Sequence, residues 1–271
     1  MIRRKTEPPR GVLKTTAAEP SRYQHARYHP SPELETFVEH YWAVRWDLRG
    51  LAPERAETLP HPSVHMIFER PGRSRIAGVA RGKFSRMLHG LGGAIAVKFK
   101  PGGFRAFVDV PISTFTDRTV AISSVFGTAG RSLDRRVAEA TDDTRRIAVI
   151  EDFLRSCHPH SDSQAVHVAA IVYAVAGDRT ILKVDDLVER YGTNTRTLQR
   201  LFSKYVGVSP KWVIQRYRLH EAAEQLAGPS VNQAELALSL GYSDQAHFVR
   251  DFKAIVGTSP AAYARRARQI G

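Results

Sequence analysis

The feature that most constrains this chain is a pattern that occurs twice near its end. Residues 198–202, 206–207 and 209–210 recur, with the same spacing of apolar, Gly and Ser-Pro positions, fifty residues later. A fixed offset of this kind identifies a duplicated structural unit. Each copy is preceded by a short apolar stretch that ends in Gly, at 187–192 and 236–241. The pattern predicts two helix-turn-helix units, each with a sharp Gly-containing turn between short helices.

The second helix of each copy has an apolar row and, opposite it, an outward stripe. The apolar residues recur at helical spacing in both copies, for example at Leu198 and Phe202, and at Phe248 and Phe252. In a DNA-bound helix-turn-helix such a stripe enters the major groove, where Arg pairs with guanine and Gln with adenine. The alternative is a bundle of helix pairs with solvated faces, but a bundle seldom repeats its outward stripe as well as its core. We predict DNA contacts from Arg196, Gln199, Arg200 and Ser203, and from Ala246, Val249, Arg250 and Lys253.

Positive charge is concentrated in the first copy. Residues 193–220 contain no Asp or Glu, so counterion release from phosphates would supply most of the sequence-independent affinity of this copy. The second copy carries Asp244 and Asp251 beside its cations, and we expect it to bind less tightly. Arg200 and Arg250 occupy equivalent positions, and contacts to bases or to phosphates fit them equally well. The cations of the first copy are Arg196, Arg200, Lys204, Lys211, Arg216 and Arg218.

A continuous helix is expected between the two copies, over residues 211–227, because apolar residues line it and Gly228-Pro229 ends it. At ~1.5 Å per residue this helix would be roughly 25 Å long. It would hold the two reading helices, which are the second helices of the two copies, about one DNA turn apart. One chain could then occupy two successive major grooves. In the second copy we expect Asp244 to cap a helix and His247 to pack beside the apolar row.

These residues resemble a known family. Residues 241–253 and 257–263 closely resemble the signature of AraC/XylS-type transcription regulators, and residues 196–202 and 207–210 resemble the first helix-turn-helix of that family. The resemblance covers about 165–265. It implies a DNA-binding regulator that contacts DNA through the outward stripes, and it adds one residue to the candidates, Gln245.

Composition divides the chain into three parts. Residues 1–21 are basic and lack an apolar signal core, and we expect a flexible basic arm there. Residues 22–158 are expected to form a β-rich sensor or dimerisation domain with a helical tail, and 159–271 a tandem helix-turn-helix domain. The predicted fold class is α+β with two domains. Short strands punctuated by Gly and Pro indicate a small barrel or sandwich, with strands at 37–48, 64–68, 76–79 and 94–99.

A second resemblance concerns the first domain. Residues 99–104 and 116–118 look like the sensor domains attached to many AraC-type regulators. This resemblance implies a cupin-like β-barrel, followed by helices that can mediate dimerisation. We expect helices at 133–140 and 144–157. The apolar stripe of the second suits packing on its own barrel and a dimer seam equally well: Ile147, Ile150, Phe153 and Leu154.

A β domain of this size can enclose a small ligand between inward side chains. The alternative is that its aromatic residues simply fill the core. His61 and His65 do not predict a metal site, because residues four apart on a strand lie ~13 Å apart. No phosphate-binding loop or nucleophile motif is recognisable, so we expect no catalytic residues and no cofactor. The candidate ligand-lining residues are Trp42, Trp46, His61, His65, Phe68 and Phe99.

The sequence therefore predicts a DNA-binding transcription regulator that responds to a ligand through its first domain. The formal net charge of +13 agrees with an anionic partner. One alternative makes the first domain a dimerisation or protein-interaction module without ligand; another makes it a catalytic domain. Expected partners are double-stranded DNA, a small-molecule effector, a second copy of the chain, and RNA polymerase if the protein activates. A single cysteine and no apolar run approaching ~18 residues favour the cytoplasm and no membrane contact.

Overall fold

The first half of the chain is built mainly from strands. The computed structural model describes residues 4–5, 22–228 and 231–270. Within these ranges the strands are β1 (Arg4–Lys5), β2 (Tyr23–Tyr28), β3 (Val38–Leu48), β4 (Glu54–Thr58), β5 (His65–Arg70), β6 (Arg75–Ala77), β7 (Phe84–Leu88), β8 (Gly90–Phe99) and β9 (Thr119–Ala121). They form a seven-stranded antiparallel sheet in the order β1-β2-β3-β8-β5-β6-β9 and a two-stranded sheet, β4-β7.

The three central strands of the large sheet separate an apolar face from a more polar face. Tyr41, Val97 and Met66 lie opposite one another on β3, β8 and β5, and all three are fully buried. The preceding or following residue on each strand points to the other face, because side chains alternate along a strand. His40, Lys98 and His65 occupy that polar rung.

The two-stranded sheet covers part of the polar face. Leu88 of β7 and Ala56 of β4 pack there against Trp46 and Leu48 of β3. The expected β-rich, cupin-like first domain is confirmed. Its large sheet is not closed into a barrel within the described residues, since β1 and β9 at its two edges each pair with one neighbour.

Two helices cover the apolar face of the large sheet. They are α1 (Ile122–Glu139), which has a break at Gly127 (φ 56°), and α2 (Asp143–Ser156). Ile147, Ile150 and Leu154 of α2 are fully buried in the same core as Tyr41 and Val97, and Phe153 joins them at 7% exposure. The apolar stripe of α2 therefore packs on its own sheet. It is not available as a dimer seam.

The second half of the described chain is helical. It comprises α3 (Ser163–Gly177), α4 (Val184–Arg190), α5 (Thr195–Tyr205), α6 (Pro210–Leu226), α7 (Gln233–Ser239), α8 (Gln245–Val256) and α9 (Pro260–Ile270). The pairs α4–α5 and α7–α8 are the two copies of the repeat, and α6 is the expected connecting helix. The first pair packs with α3 and α6 in one core, and the second packs with the end of α6 and with α9 in another.

The expected flexible arm falls largely outside the described residues. Only Arg4 and Lys5 of that segment are described, and their backbone pairs with Tyr28 and Arg27 at the end of β2. Among the described helices, none has the length and apolar character that a membrane crossing requires.

Candidate nucleic-acid interface

The first reading helix, α5, begins at a side-chain cap. The Oδ1 atom of Asn194 accepts a hydrogen bond from the backbone N–H of Thr197 at 2.9 Å, which satisfies one of the orphan donors at the helix start. Leu198 and Phe202 are buried beneath the helix. The opposite face consists of the predicted contact residues, all of which are exposed: Arg196, Gln199, Arg200, Ser203 and Lys204.

The second reading helix, α8, repeats this arrangement. The Oδ1 atom of Asp244 accepts from the backbone N–H of His247 at 2.7 Å, as expected for a cap. That hydrogen bond is the main reason why the pKa of the Asp244 carboxyl is lowered. Phe248 and Phe252 are buried. All of the predicted contact residues are exposed except Val249, which is half-buried. They are Gln245, Ala246, Val249, Arg250 and Lys253.

His247 lies against the core of the second unit, as expected. Its ring meets that of Tyr242 edge-on, with 5.2 Å between the ring centroids and an interplanar angle of 89°. Its Nε2 atom is 3.6 Å from a carboxylate oxygen of Asp251. These contacts orient the imidazole along the helix.

Arg216 of the connecting helix is not a phosphate contact, contrary to its place among the basic residues of the first copy. Only 1% of its surface is exposed. Its guanidinium stacks on the ring of Trp212 at 4.5 Å and donates to the backbone carbonyls of Arg81 and Gly82 in the first domain. Burial lowers its pKa to about 10. The cation therefore joins the two domains and cannot reach solvent.

Arg218 is also removed from the expected phosphate-binding surface. It is half-buried, and burial lowers the pKa of its guanidinium. One of its terminal nitrogens lies beside Gly241, in the turn of the second unit. The basic surface of the first unit is thus carried by α5 and by Lys211, which is exposed.

The first domain contacts both reading units at equivalent places. The Thr116 hydroxyl donates to the carbonyl oxygen of Gly207 at 2.5 Å, immediately after α5. The Lys83 ammonium donates to the carbonyl oxygen of Val256 at 3.3 Å, at the end of α8. Gly207 and Val256 occupy adjacent positions of the repeat, since Gly257 is the counterpart of Gly207. One β domain therefore holds the same end of both reading helices.

Apolar and aromatic contacts reinforce this attachment. Val79 lies in the core of the first unit, and Leu59 in the core of the second. His61 stacks on His220 of α6, with 4.5 Å between the ring centroids and 23° between the planes. One contact reaches the reading stripe itself, because the hydroxyls of Ser113 and Ser203 are 3.2 Å apart.

The six candidate ligand-lining residues do not share one cavity. Phe68 and Phe99 are buried in the core beneath the helices, and Trp46 is buried beneath the two-stranded sheet. Indole Nε1 of Trp42 donates to Nδ1 of His65 at 3.1 Å. Burial, followed by the charge of Lys98, lowers the pKa of His65 to about 3, so this imidazole is neutral at physiological pH. The sixth residue, His61, stacks on the connecting helix as described above.

Sequence reasoning missed the residues of the first domain that hold the reading units. They lie in a short 3-10 helix, in turns and before a strand, where no periodic pattern marks them: Ser113, Thr116, Lys83 and the carbonyl of Arg81. Their partners are between 90 and 173 residues away in the chain.

Comparisons with known proteins agree with this geometry. A family model described as a helix-turn-helix domain matches residues 187–266, and one described as a domain of unknown function matches 26–121. The transcriptional activator AarP of Providencia stuartii is 32% identical over 105 residues, which cover 38% of this chain and 78% of AarP. The probable transcription factor PqrA of Proteus vulgaris is 33% identical over 82 residues, covering 30% of this chain and 67% of PqrA.

The matches span very different shares of the relatives. The uncharacterised regulator YtdP of Bacillus subtilis is 29% identical over 134 residues, which cover 49% of this chain and 17% of YtdP. Among solved structures, ToxT of Vibrio cholerae O395 aligns over 91% of this chain and 98% of its own, with 11% identity and a TM-score of 0.41.

The repeat, the capped and exposed helices and these relatives define a helix-turn-helix DNA-binding protein of the transcription-regulator class. The chain belongs to the AraC/XylS family.

Proposed function

We propose that both helix-turn-helix units read adjacent major-groove segments of one promoter site, and that the first domain sets their placement in response to a small molecule. The observation that carries this proposal is the attachment of one β domain to the same end of both reading helices, through Thr116 and Lys83. A domain held in this way can change how two reading helices are spaced. Such a change alters affinity for a site of fixed spacing.

Residues near the start of each reading helix are proposed to contact bases. Arg196 and Gln199 are exposed in the first two turns of α5, and the beginning of a recognition helix is the part that reaches base edges. Gln245, Ala246 and Val249 are their proposed counterparts in α8. Residues further along the helices lie nearer the groove rim and are proposed to contact phosphates: Ser203 and Lys204 in α5, and Lys253 in α8.

Arg200 and Arg250 stand between these two groups in their helices. Both are exposed, and they occupy equivalent positions of the repeat. If the Arg pairs with guanine, its removal relaxes the base preference at one position. If it pairs with a phosphate, its removal weakens binding to every sequence equally. Titrating Arg200→Ala and Arg250→Ala against a set of single-base variants of the site distinguishes the two roles.

We propose the same domain division that the sequence predicts. Residues 22–158 would form the sensing domain, 159–271 the DNA module, and 1–21 an arm. Ligand sensing is favoured over a plain dimerisation module because the stripe of α2 that suited a dimer seam is buried in the core of its own domain. We further propose a cytoplasmic regulator without catalytic role, with RNA polymerase as partner where it activates and a second copy of the chain where sites are paired.

Selection of bound sequences from a random DNA pool, with the full-length protein, tests the DNA-binding part of the proposal. The expected result is a site with two different elements whose centres lie about one helical turn apart, at ~10 base pairs. A single short element, or two elements at variable spacing, would contradict the joint use of both units.

Thermal unfolding against a panel of metabolites tests the sensing part. A ligand present at a hundredfold its Kd adds roughly 2.7 kcal/mol to the free energy of unfolding and raises the Tm. An unchanged Tm across anionic, cationic, sugar and aromatic compounds would favour a first domain that only mediates interactions.

A further inference from the structure

A groove of about 580 Å³ lies where the first domain meets the first helix of the DNA module. One wall consists of residues 36–37, which precede β3, and of the segment 100–109. The other consists of residues 160–173, which lead into α3 and include its first turns. The two walls are in close contact at Gly102, where a Cβ atom would lie 3.2 Å from the carbonyl oxygen of Ala165. The groove is thus built jointly by both domains.

One side of the groove is apolar. Phe37 contributes from the first domain, and Val166, Ala169, Ala170 and Tyr173 contribute from α3. Val166 and Tyr173 are 52% and 41% exposed, which is unusual for large apolar side chains. These residues offer an apolar surface to a flat or chain-like molecule.

The other side carries positive charge. Lys100 and Arg105 line it, and the Nε atom of Arg105 is buried with no hydrogen-bond partner among the described residues. A terminal nitrogen of the same guanidinium donates to the carbonyl of Val108 and lies 3.7 Å from the exposed carboxylate of Asp109. The Arg105 side chain as a whole is 22% exposed, and together with the half-buried Lys100 it can pair with an anion in the groove.

The geometry points to a binding site for a small organic anion with an apolar body. Its carboxylate, sulfonate or phosphate group pairs with Lys100 and Arg105, and its body covers Phe37, Val166 and Tyr173. This inference rests on the proposed response to a small molecule, because it names the site and the chemical class of that molecule. The site is separate from the six aromatic and histidine candidates within the β domain.

A direct connection links the groove to the first reading helix. Asp162 lines the groove and caps α3, accepting from the backbone N–H of Gln164 at 2.8 Å. The same carboxylate accepts a hydrogen bond from the hydroxyl of Tyr205, the last residue of α5. A ligand that shifts the start of α3 against the first domain therefore moves a group bonded to the reading helix.

Two fluorescent probes of similar shape test the charge requirement on the full-length protein. Anilinonaphthalene sulfonate is anionic, and phenylnaphthylamine is its neutral analogue. We expect the sulfonate to bind more tightly, and Lys100→Gln and Arg105→Gln each to weaken it by about tenfold, as for loss of a charged hydrogen bond. Asp109→Asn should strengthen sulfonate binding about twofold, since it removes a competing carboxylate. None of the three substitutions should change binding of the neutral probe.

A matched control lies outside the groove. The exposed apolar residues Met87 and Leu91 offer the dyes another surface, and the double substitution to Ser should leave sulfonate binding unchanged. Equal affinity for the two probes, or sulfonate binding that withstands Lys100→Gln, would overturn the proposal. Lys100→Gln decides the matter even where Arg105→Gln lowers the Tm, because the Lys100 side chain is partly exposed.

The connection to α5 has its own readout. Saturating sulfonate should change the affinity of the wild-type protein for the selected DNA site. Lys100→Gln should show the same change, but only at a correspondingly higher probe concentration. Tyr205→Phe should bind the probe normally but show no change in DNA affinity. A probe that binds in the groove and leaves wild-type DNA affinity unchanged would contradict the connection. Because DNA binding is measured without probe as well, failure at the groove is distinguishable from failure of the DNA-binding proposal.

Discussion

The two helix-turn-helix units share a sequence pattern but differ in what surrounds them. Both reading helices are capped at their starts, by Asn194 and by Asp244, and both are held by the first domain at their ends. The outward stripe of α5 is touched by that domain, through Ser113 and Ser203, and no such hydrogen bond to the stripe of α8 occurs among the described residues. The hydroxyl of Tyr205 in α5 is also bonded to Asp162, the residue that caps α3.

Charge adds to this difference. The stripe of α5 has no acidic member, whereas α8 carries Asp251 at 3.6 Å from His247, within the turn that also bears Arg250. Duplication has thus produced one unit that attracts phosphate strongly and is connected to the rest of the protein, and a second that is more nearly neutral. We infer that the first unit supplies most of the affinity and receives the regulatory signal, while the second adds specificity.

The largest expected effect is on base recognition by the first unit. Arg196→Ala and Gln199→Ala should each cost about 1–3 kcal/mol at the selected site and relax the preference at one base position. Gln245→Ala in the second unit should cost less. Fluorescence anisotropy against single-base variants of the site measures both quantities. Equal loss on every sequence would show that these side chains contact phosphates.

The buried cation of the connecting helix provides a second test. Arg216→Met should lower the free energy of unfolding by about 2 kcal/mol, because the carbonyls of Arg81 and Gly82 lose a charged donor. The salt dependence of DNA binding should not change. Lys211→Met is the matched control, since Lys211 is exposed and its loss should reduce the salt dependence and leave the Tm unaltered. A reduced salt dependence in Arg216→Met would restore that residue to the DNA surface.

The paired contacts of the first domain allow each unit to be loosened separately. Thr116→Val removes the hydrogen bond to Gly207. Lys83→Met removes the one to Val256, together with the ion pair to Glu57. Loss of each hydrogen bond costs about 1 kcal/mol. We expect the affinity for the DNA element that the loosened unit reads to fall by a corresponding factor of roughly five. Titration of DNA containing only one element resolves the two effects. If either substitution weakened both elements alike, the contacts would not act on the units individually.

The smallest expected effect concerns single phosphate contacts. Lys204→Ala and Lys253→Ala should each reduce the slope of log affinity against log salt by about one, with little change in sequence preference. At low salt, Lys204→Ala should reduce the affinity for DNA more than Lys253→Ala does, because the outward stripe of α5 has no acidic residue. Identical slopes and affinities for the two variants would remove the proposed electrostatic difference between the units.

Local features of the fold were predictable from the sequence. The rows and stripes of α5 and α8 follow from helical periodicity, and the cap at Asp244 follows from residue type at a helix start. The connecting helix was predicted over 211–227 and occupies Pro210–Leu226. Each of these features depends on neighbours within a few residues, which is the range over which a sequence pattern is informative.

Features that depend on distant partners were not predictable. Arg216 was predicted among the cations that attract phosphate. Its actual partners, the carbonyls of Arg81 and Gly82, are 135 and 134 residues away in the chain, so no local pattern reveals its burial. The strands β4 and β7 escaped notice because charged residues such as Glu54, Arg55 and Arg86 interrupt the usual strand composition. The groove at Arg105 joins three separate segments of the chain, so only the folded molecule brings its two sides together.

Both units are proposed to read one site, at the spacing in which α6 and the first domain hold them. Inserting five base pairs between the two elements of the selected site breaks this arrangement, because about half a helical turn moves the second element to the opposite face of the duplex. Affinity is expected to fall to that of DNA containing the first element alone. Undiminished affinity for the expanded site would contradict the proposed arrangement.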